Sequence, residues 1–316
     1  MHSQNGFGLR LLAGGNHPRM GRRSVAIAVL AGLAAAAPSH ASSDPANFPW
    51  ETLLPAMPSS AAVQPHAVPY CRKAVVGCID TEIRRMRLLQ QTLGCDHRAV
   101  FATTYLELTR QLRRTLRAQP HFFLDPRYLY REDALFADVY FNTVRDYAAG
   151  RGVPPAWQIA FDAARSGDVN GAQDMLLGIN AHVQNDMPFV LAALGQRTPR
   201  GATRKPDHDR FNEILDAAYQ PVVQAIQDRY DPIVGTTNAN WTFADDAAGL
   251  ETVKEWREQV WRNAERLLAA KSDSERAQVA SQIEQYAAGW ARMIANPLQM
   301  PGYRAQRDAY CAQKLG

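Results

Sequence analysis

Ile79-Asp80-Thr81-Glu82-Ile83-Arg84-Arg85-Met86-Arg87-Leu88-Leu89-Gln90-Gln91-Thr92-Leu93-Gly94 decides the class of fold. Ile79, Ile83, Met86, Leu89 and Leu93 recur at the three-and-four spacing of one helix face, with charged and amide residues between them. Gly94 then supplies the backbone freedom that commonly ends a helix. The same grammar continues downstream. Asp96 caps a second helix, whose Val100, Tyr105, Leu108, Leu112 and Leu116 share a face until Pro120 ends it. A loop through His121 to Pro126 leads to a third helix over roughly 132–149, closed by Gly150 and Gly152. Pro154-Pro155 open a fourth, with Trp157, Ala160 and Phe161. A fifth runs over roughly 168–194, and Pro188 interrupts it with a kink. A sixth starts at Asp207 or Asp209 and reaches about Tyr230. After a loop over 231–246 come two long helices, about 247–271 and 273–295, the second announced by the capping box Ser272-Asp273-Ser274-Glu275. A short helix near 303–311 closes the chain. No run alternates with period two between turn signals. The expected architecture is all-α, an irregular bundle of about eight to nine helices with no significant sheet.

Working outward to the start of the chain, Arg22-Arg23 precede the apolar run Ser24 to Leu33, then Ala34 to Ala37 and Pro38-Ser39-His40-Ala41. A basic start, a short apolar run and small residues before a cut after Ala41 make residues 1–41 a secretory signal peptide, with translation expected from Met20. The run falls short of the ~18 residues that span a bilayer, so no stable membrane anchor is expected. Residues 42–69 read as an extended Pro/Ala-rich arm and 70–316 as a single helical domain. The full chain carries 35 Lys and Arg against 31 Asp and Glu, but residues 1–41 hold Arg10, Arg19, Arg22 and Arg23 and no acid. The remainder is neutral, which removes the general electrostatic case for nucleic acid or an anionic membrane as a partner. Cys71, Cys78, Cys95 and Cys311 in an exported chain suggest two disulfides, in a periplasmic or secreted protein. One helix over 79–93 separates Cys78 from Cys95 by roughly 25 Å, too far for a disulfide. Cys95 or Cys71 is therefore expected to reach Cys311.

The chemistry concentrates in Asn180-Ala181-His182-Val183-Gln184-Asn185-Asp186-Met187-Pro188. Ala172, Met175, Ile179, Val183 and Val190 form the apolar stripe of this helix, and His182 and Asp186, four apart, overlap it. A buried imidazole and carboxylate must be paired, hydrogen-bonded or metal-bound. Pro188 lacks an N–H and frees the carbonyl of Gln184. A second candidate is Asp207-His208-Asp209-Arg210-Phe211-Asn212, where Asp209 and Asn212 share a face and His208 adds a metal-capable ring. Asp207 alone is explained by helix capping. Asn180, Asn212, Tyr140 and Tyr105 are the further polar positions expected around a pocket. No Gly-x-Ser-x-Gly, phosphate-cradling glycine loop or His-Glu-x-x-His occurs. Trp256, Trp261 and Trp290 read as helix-interface anchors.

Phe101-Ala102-Thr103-Thr104-Tyr105-Leu106-Glu107-Leu108-Thr109, Phe136-Ala137-Asp138-Val139-Tyr140-Phe141 and Leu177 to Pro188 resemble domain of unknown function family 5995. The likeness covers most of residues 79–235. It implies a helical domain and points at His182, Asp186, Asp209 and Asn212, with no known activity. The string His182-x-x-x-Asp186-x-Pro188 is also similar to the helix motif of zinc-dependent phospholipases C and related nucleases. This chain departs from them, since beyond the leader it has only His66, His97, His121, His182 and His208, too few for a trinuclear zinc cluster. A one- or two-metal site from His182, Asp186, Asp209 and His208 remains chemically allowed. Two functions follow as expectations. One is exported hydrolysis of an ester or phosphoester, with His182 and Asp186 at the centre and a divalent metal ion as the cofactor. The other is a non-catalytic helical module, binding a small or lipid-like molecule or merely holding a buried His-Asp-Asn network.

Overall fold

The computed structural model describes residues 68–235, 246–296 and 302–315. The chain divides after Ala41 into two units, and every described residue belongs to the second. The leader and nearly all of the expected arm thus lie outside the described residues. Helices α1 (Gly77–Leu93), α2 (Arg98–Ala118), α3 (Pro126–Ala148) and α4 (Pro155–Ser166) lead into a long rod. The rod consists of α5 (Gly171–Ile179), a π-helical stretch (Asn180–Asp186) and α6 (Met187–Leu194). Then follow α7 (Lys205–Arg229), α8 (Asp246–Ala269), α9 (Asp273–Ile294) and α10 (Tyr303–Leu315). Among the described residues there is no strand, only an isolated bridge between Arg197 and Thr203. The all-α reading stands.

Local chemistry sets the boundaries. α1 stops at Gly94, whose φ is 54°, in the left-handed region that side chains disfavour. Asp96 accepts from the Arg98 N–H (2.9 Å) at the start of α2. α3 begins six residues before its expected start, because the Asp125 carboxylate accepts from the Tyr128 N–H at 3.1 Å and Pro126 occupies the first turn. Those are the ordinary start signals, and the apolar periodicity that begins later conceals them. Asn170 and Gln173 cap α5 reciprocally, and Ser272 accepts from the Glu275 N–H at 3.1 Å to start α9.

The rod runs through the centre. Its buried face packs on α2 through Gly178, where an added Cβ would sit 2.2 Å from Cγ of Phe101 and 2.6 Å from its Cβ. Only glycine admits that ring. At the expected break before Pro188 the helix widens into a π turn. The Met187 N–H bonds to the carbonyl of His182, five residues back, and Pro188, with no N–H to give, starts the α-helical register again. Two disulfides close the structure, Cys71–Cys78 and Cys95–Cys311. The second ties α10 to the turn between α1 and α2. There Arg307 also donates to the Cys95 carbonyl (2.6 Å), and the Tyr303 hydroxyl donates to Asp231 (2.5 Å).

Candidate active site

The π turn positions a histidine and an aspartate inside the molecule. His182 and Asp186 are each only 2 % exposed, and Nδ1 of His182 lies 2.9 Å from Oδ2 of Asp186. That oxygen also accepts from the Trp157 indole N–H at 2.9 Å, while Oδ1 accepts from the Asn185 amide at 2.8 Å. The indole and amide N–H groups thus donate to a carboxyl whose remaining close partner is the His182 ring, and an acceptor-rich carboxyl favours a ring N–H facing it. The proton of neutral His182 is therefore on Nδ1, donated to Asp186, and Nε2 carries the lone pair. Nε2 is buried and has no hydrogen-bond partner. Burial lowers the His182 pKa below its ordinary 6.5, and Asp186 opposes that shift.

An aromatic box fixes the ring. Phe136 stacks on His182 at 3.5 Å between centroids and 4° between planes. Tyr105 approaches at 5.0 Å, and Tyr140, Phe101 and Trp157 surround it at 5.7, 5.9 and 5.9 Å. Beyond the ring lies a cavity of about 130 Å³ between α2, α3, the rod, α7 and α8. Its wall is almost wholly carbon, including Leu108, Leu112, Leu129, Ile179, Leu215 and Val253. The wall hydroxyls of Thr104 and Thr109 are occupied, donating to the carbonyls of Val100 and Tyr105 at 3.0 and 2.8 Å. Besides those threonines, the polar side chains on the wall are His182, Tyr105, Tyr219, Asp133, Glu132 and Arg257. The Tyr105 hydroxyl is buried without a partner. Burial, then the negative field of Asp133 and Glu82, holds its pKa well above 10, so it stays a donor.

The acids near the wall are unusual. Glu82 and Asp133 are buried neighbours, and burial raises both pKa values, that of Glu82 further because Asp133 faces it. Two carboxyls in such a setting share a proton rather than both ionise. Glu132 is pushed up to about 7, by burial and against the pull of Arg257. Arg257 is lowered to about 10 by burial, which leaves it charged at neutral pH.

The other expected site residues go elsewhere. Asp209 is 51 % exposed and pairs with Lys205. The ring Nε2–H of His208 donates to the carbonyl of Arg257 at 3.0 Å, and burial drives its pKa well below 6.5. Asn212 accepts from Nε of Arg257 at 2.8 Å. Asn180 donates to the carbonyl of Ala287 on α9 (2.9 Å) and accepts from Gln184 (3.0 Å). It therefore fixes helix register away from the cavity, separate from the His182–Asp186 pair. Tyr140 packs behind His182, edge-on to Phe101 and stacked on Trp157. Of the polar positions singled out in the sequence, the cavity wall receives His182 and Tyr105. Among the described residues, no three His, Cys, Asp or Glu side chains are grouped to hold a metal ion. Asp207 has a structural task, accepting from the N–H groups of Leu124 and Asp125 at 2.7 Å each.

A second buried pair shows what the first adds. His97 Nδ1 is 2.7 Å from Asp174, and its other nitrogen faces Asp308 at 3.8 Å. That pair joins α2, α5 and α10 and does not line the cavity beside His182. Trp157, Phe136, Asp133, Glu132 and Arg257 were not legible as site residues. Trp157 left one signal, since a core indole N–H needs an acceptor.

A family model described as a family of unknown function, DUF5995, matches residues 79–297. No curated protein and no solved structure matches the chain.

Proposed function

Because the chain belongs to the DUF5995 family of unknown function, its chemistry has to be read from its own site, and we propose that it hydrolyses a carboxylic ester whose apolar part fills the cavity. The observation that carries this reading is the unpartnered Nε2 of His182 at the wall of an apolar cavity, with Nδ1–H held by Asp186. A buried polar atom without a partner costs about 1–3 kcal/mol, and a ligand or a reacting water recovers it. Nε2 of a neutral imidazole is a general base. The aliphatic hydroxyls of the wall, Thr104 and Thr109, are bonded to backbone carbonyls, so water is taken as the nucleophile.

In the reaction, Nε2 takes a proton from water as the water oxygen bonds to the ester carbonyl carbon. The Tyr105 hydroxyl donates to the oxygen on which negative charge develops. The C–O bond to the alcohol then breaks, and the imidazolium returns its proton to the leaving oxygen. Asp186, held by Trp157 and Asn185, stabilises the imidazolium between the two steps. A carboxylic ester fits better than a phosphoester: the wall offers carbon and acids, while its one arginine is engaged by Asn212, the His208 carbonyl and Met187. The lining also supports a metal-free route, because His182 and Asp186 bond to each other while Asp209 and His208 bond elsewhere. Two disulfides support a reaction outside the reducing cytosol, in the periplasm or beyond.

The test is hydrolysis of p-nitrophenyl butyrate by the chelator-treated protein. His182→Ala lowers kcat by about 10²–10⁴-fold, the scale of a lost general base, and Tyr105→Phe lowers kcat with little change in KM. Full activity in His182→Ala, or activity that needs added Zn²⁺ or Mn²⁺, overturns the proposal.

A further inference from the structure

Charge on the molecule is segregated. Residues 70–131 hold twelve Lys and Arg against five Asp and Glu, although the chain after residue 41 is balanced as a whole. The fold brings six of these twelve cations to one end. The start of α1, the end of α2, the start of α3 and the middle of α7 share a small core of Ile79, Leu112, Leu116, Phe122, Phe123, Leu129 and Ile214. Sγ of Cys71 lies 3.3 Å from the carbonyl of Tyr130, which brings the preceding turn to the same place. Around this core Arg72, Lys73, Arg114, Arg117, Arg127 and Arg131 are exposed. Among the described residues none of the six pairs with a carboxylate. The nearby acids are already engaged: Asp80 by Arg113, Glu107 by Arg110, Asp125 by Arg204. Glu213, also exposed at this end, faces Arg210 at 4.0 Å.

Large apolar side chains stand among these cations. Leu124 is 73 % exposed and Val75 is 50 % exposed, both on loops of this end. Leu88, 65 % exposed, lies further along α1 beside the exposed Arg84 and Arg87. We propose that this end is a docking surface for an anionic lipid bilayer, with the cations on headgroup phosphates and Leu124 and Val75 entering the acyl boundary. Basic side chains flanking apolar tips are the composition of an interfacial anchor. A nucleic acid would use the cations but gain nothing from exposed leucine and valine, and its usual stacking platforms are missing because Phe122 and Phe123 are buried. The inference rests on charge and exposure, independently of the ester chemistry. The two are spatially compatible, since Leu112 and Leu129 belong both to this core and to the cavity wall.

The experiment is co-sedimentation of the full chain with vesicles of phosphatidylcholine alone and of phosphatidylcholine mixed with phosphatidylglycerol. Wild type is compared with Arg114→Glu/Arg117→Glu/Arg127→Glu/Arg131→Glu, so that any contribution of the leader is common to both. Wild type binds the mixed vesicles, weakens with salt, and the variant binds them at least ~10-fold more weakly. Leu124→Ser, at a position where folding is not at stake, weakens binding to the mixed vesicles with the salt dependence retained. Circular dichroism and Tm verify that each variant is folded. Equal vesicle binding by wild type and the charge variant overturns the proposal. So does wild-type binding that ignores phosphatidylglycerol, or retention on duplex DNA without vesicle binding. His182→Ala leaves vesicle binding unchanged, so failure here and failure of the esterase reading are separable.

Discussion

At the scale of single residues the proposed role of His182 depends on where protons sit. His182 has one nitrogen bonded to Asp186 and one without a hydrogen-bond partner, and because the ring lines the apolar cavity we propose it as a base rather than a tether. The chain itself offers the comparison: His97 pairs with Asp174 at 2.7 Å but does not line the cavity beside His182. From sequence, the i,i+4 spacing of His182 and Asp186 was legible, because helical neighbours must meet. Their surroundings were not, because the box is assembled from Phe101, Phe136, Tyr140 and Trp157 on three other helices. Nor was the Glu82–Asp133 pair, since Glu82 sits on a charged stretch of α1 and only the packing buries it. That pair yields a prediction with a definite sign. Both carboxyls have folded pKa values above those of the unfolded chain. Unfolding therefore releases protons as pH rises above about 4.3, the ordinary glutamate value, and stability falls until the folded pKa is passed. Glu82→Gln removes much of this dependence, raising Tm at pH 8 more than at pH 5. A Tm rise that is equal at both values, or a loss, contradicts the shared-proton description.

At the scale of elements the informative feature is the π turn. Helix existence was readable nearly everywhere, because a three-and-four pattern buried on one side leaves few alternatives. The Pro188 break was legible in the sequence, but the π turn that precedes it was not. A proline cannot take part as a donor, but whether the backbone bends or widens depends on what packs around it. Here Asn180 bonds to Ala287 on α9 and the Phe101 ring lies on Gly178, so both sides of the rod are held while the turn widens. Pro188→Ala returns a donor to this turn. We expect its Tm to match or exceed that of wild type, while ester hydrolysis drops at least ~10-fold because the base and carboxylate lose register. Unchanged activity in a variant of unchanged Tm would show that the π turn does not set the site. The start of α3 teaches a related lesson, since Asp125-Pro126 marks a helix start before the apolar pattern does.

At the scale of the whole molecule, two covalent ties differ in reach. Cys71–Cys78 closes a separation of 7 residues and Cys95–Cys311 one of 216. On chain-entropy grounds the longer loop contributes roughly 5 kcal/mol and the shorter roughly 2–3 kcal/mol. Cys95→Ser/Cys311→Ser should therefore lower Tm more than Cys71→Ser/Cys78→Ser, measured by calorimetry under non-reducing conditions; the reverse order would argue against the long tie as the main constraint on α10. Sequence geometry excluded Cys78–Cys95 and pointed to Cys311 as the partner of Cys95 or Cys71, and the structure selects Cys95. The charge balance of the chain was also legible, but its spatial segregation was not, because the basic residues reach one surface only when α1, α2 and α3 meet.

The central claim is that neutral His182, oriented by Asp186, acts as the base for a substrate in the apolar cavity. The most direct test is the pH dependence of kcat/KM for p-nitrophenyl butyrate, followed in the presence of a chelator. Burial lowers the His182 pKa, so the base is deprotonated at neutral pH and becomes protonated only as pH falls. The predicted profile is a plateau through neutral pH that declines on the acid side with a midpoint below 6.5, and that decline is absent from the residual rate of His182→Ala. A midpoint above 6.5, or an acid limb that survives in His182→Ala, would contradict the account.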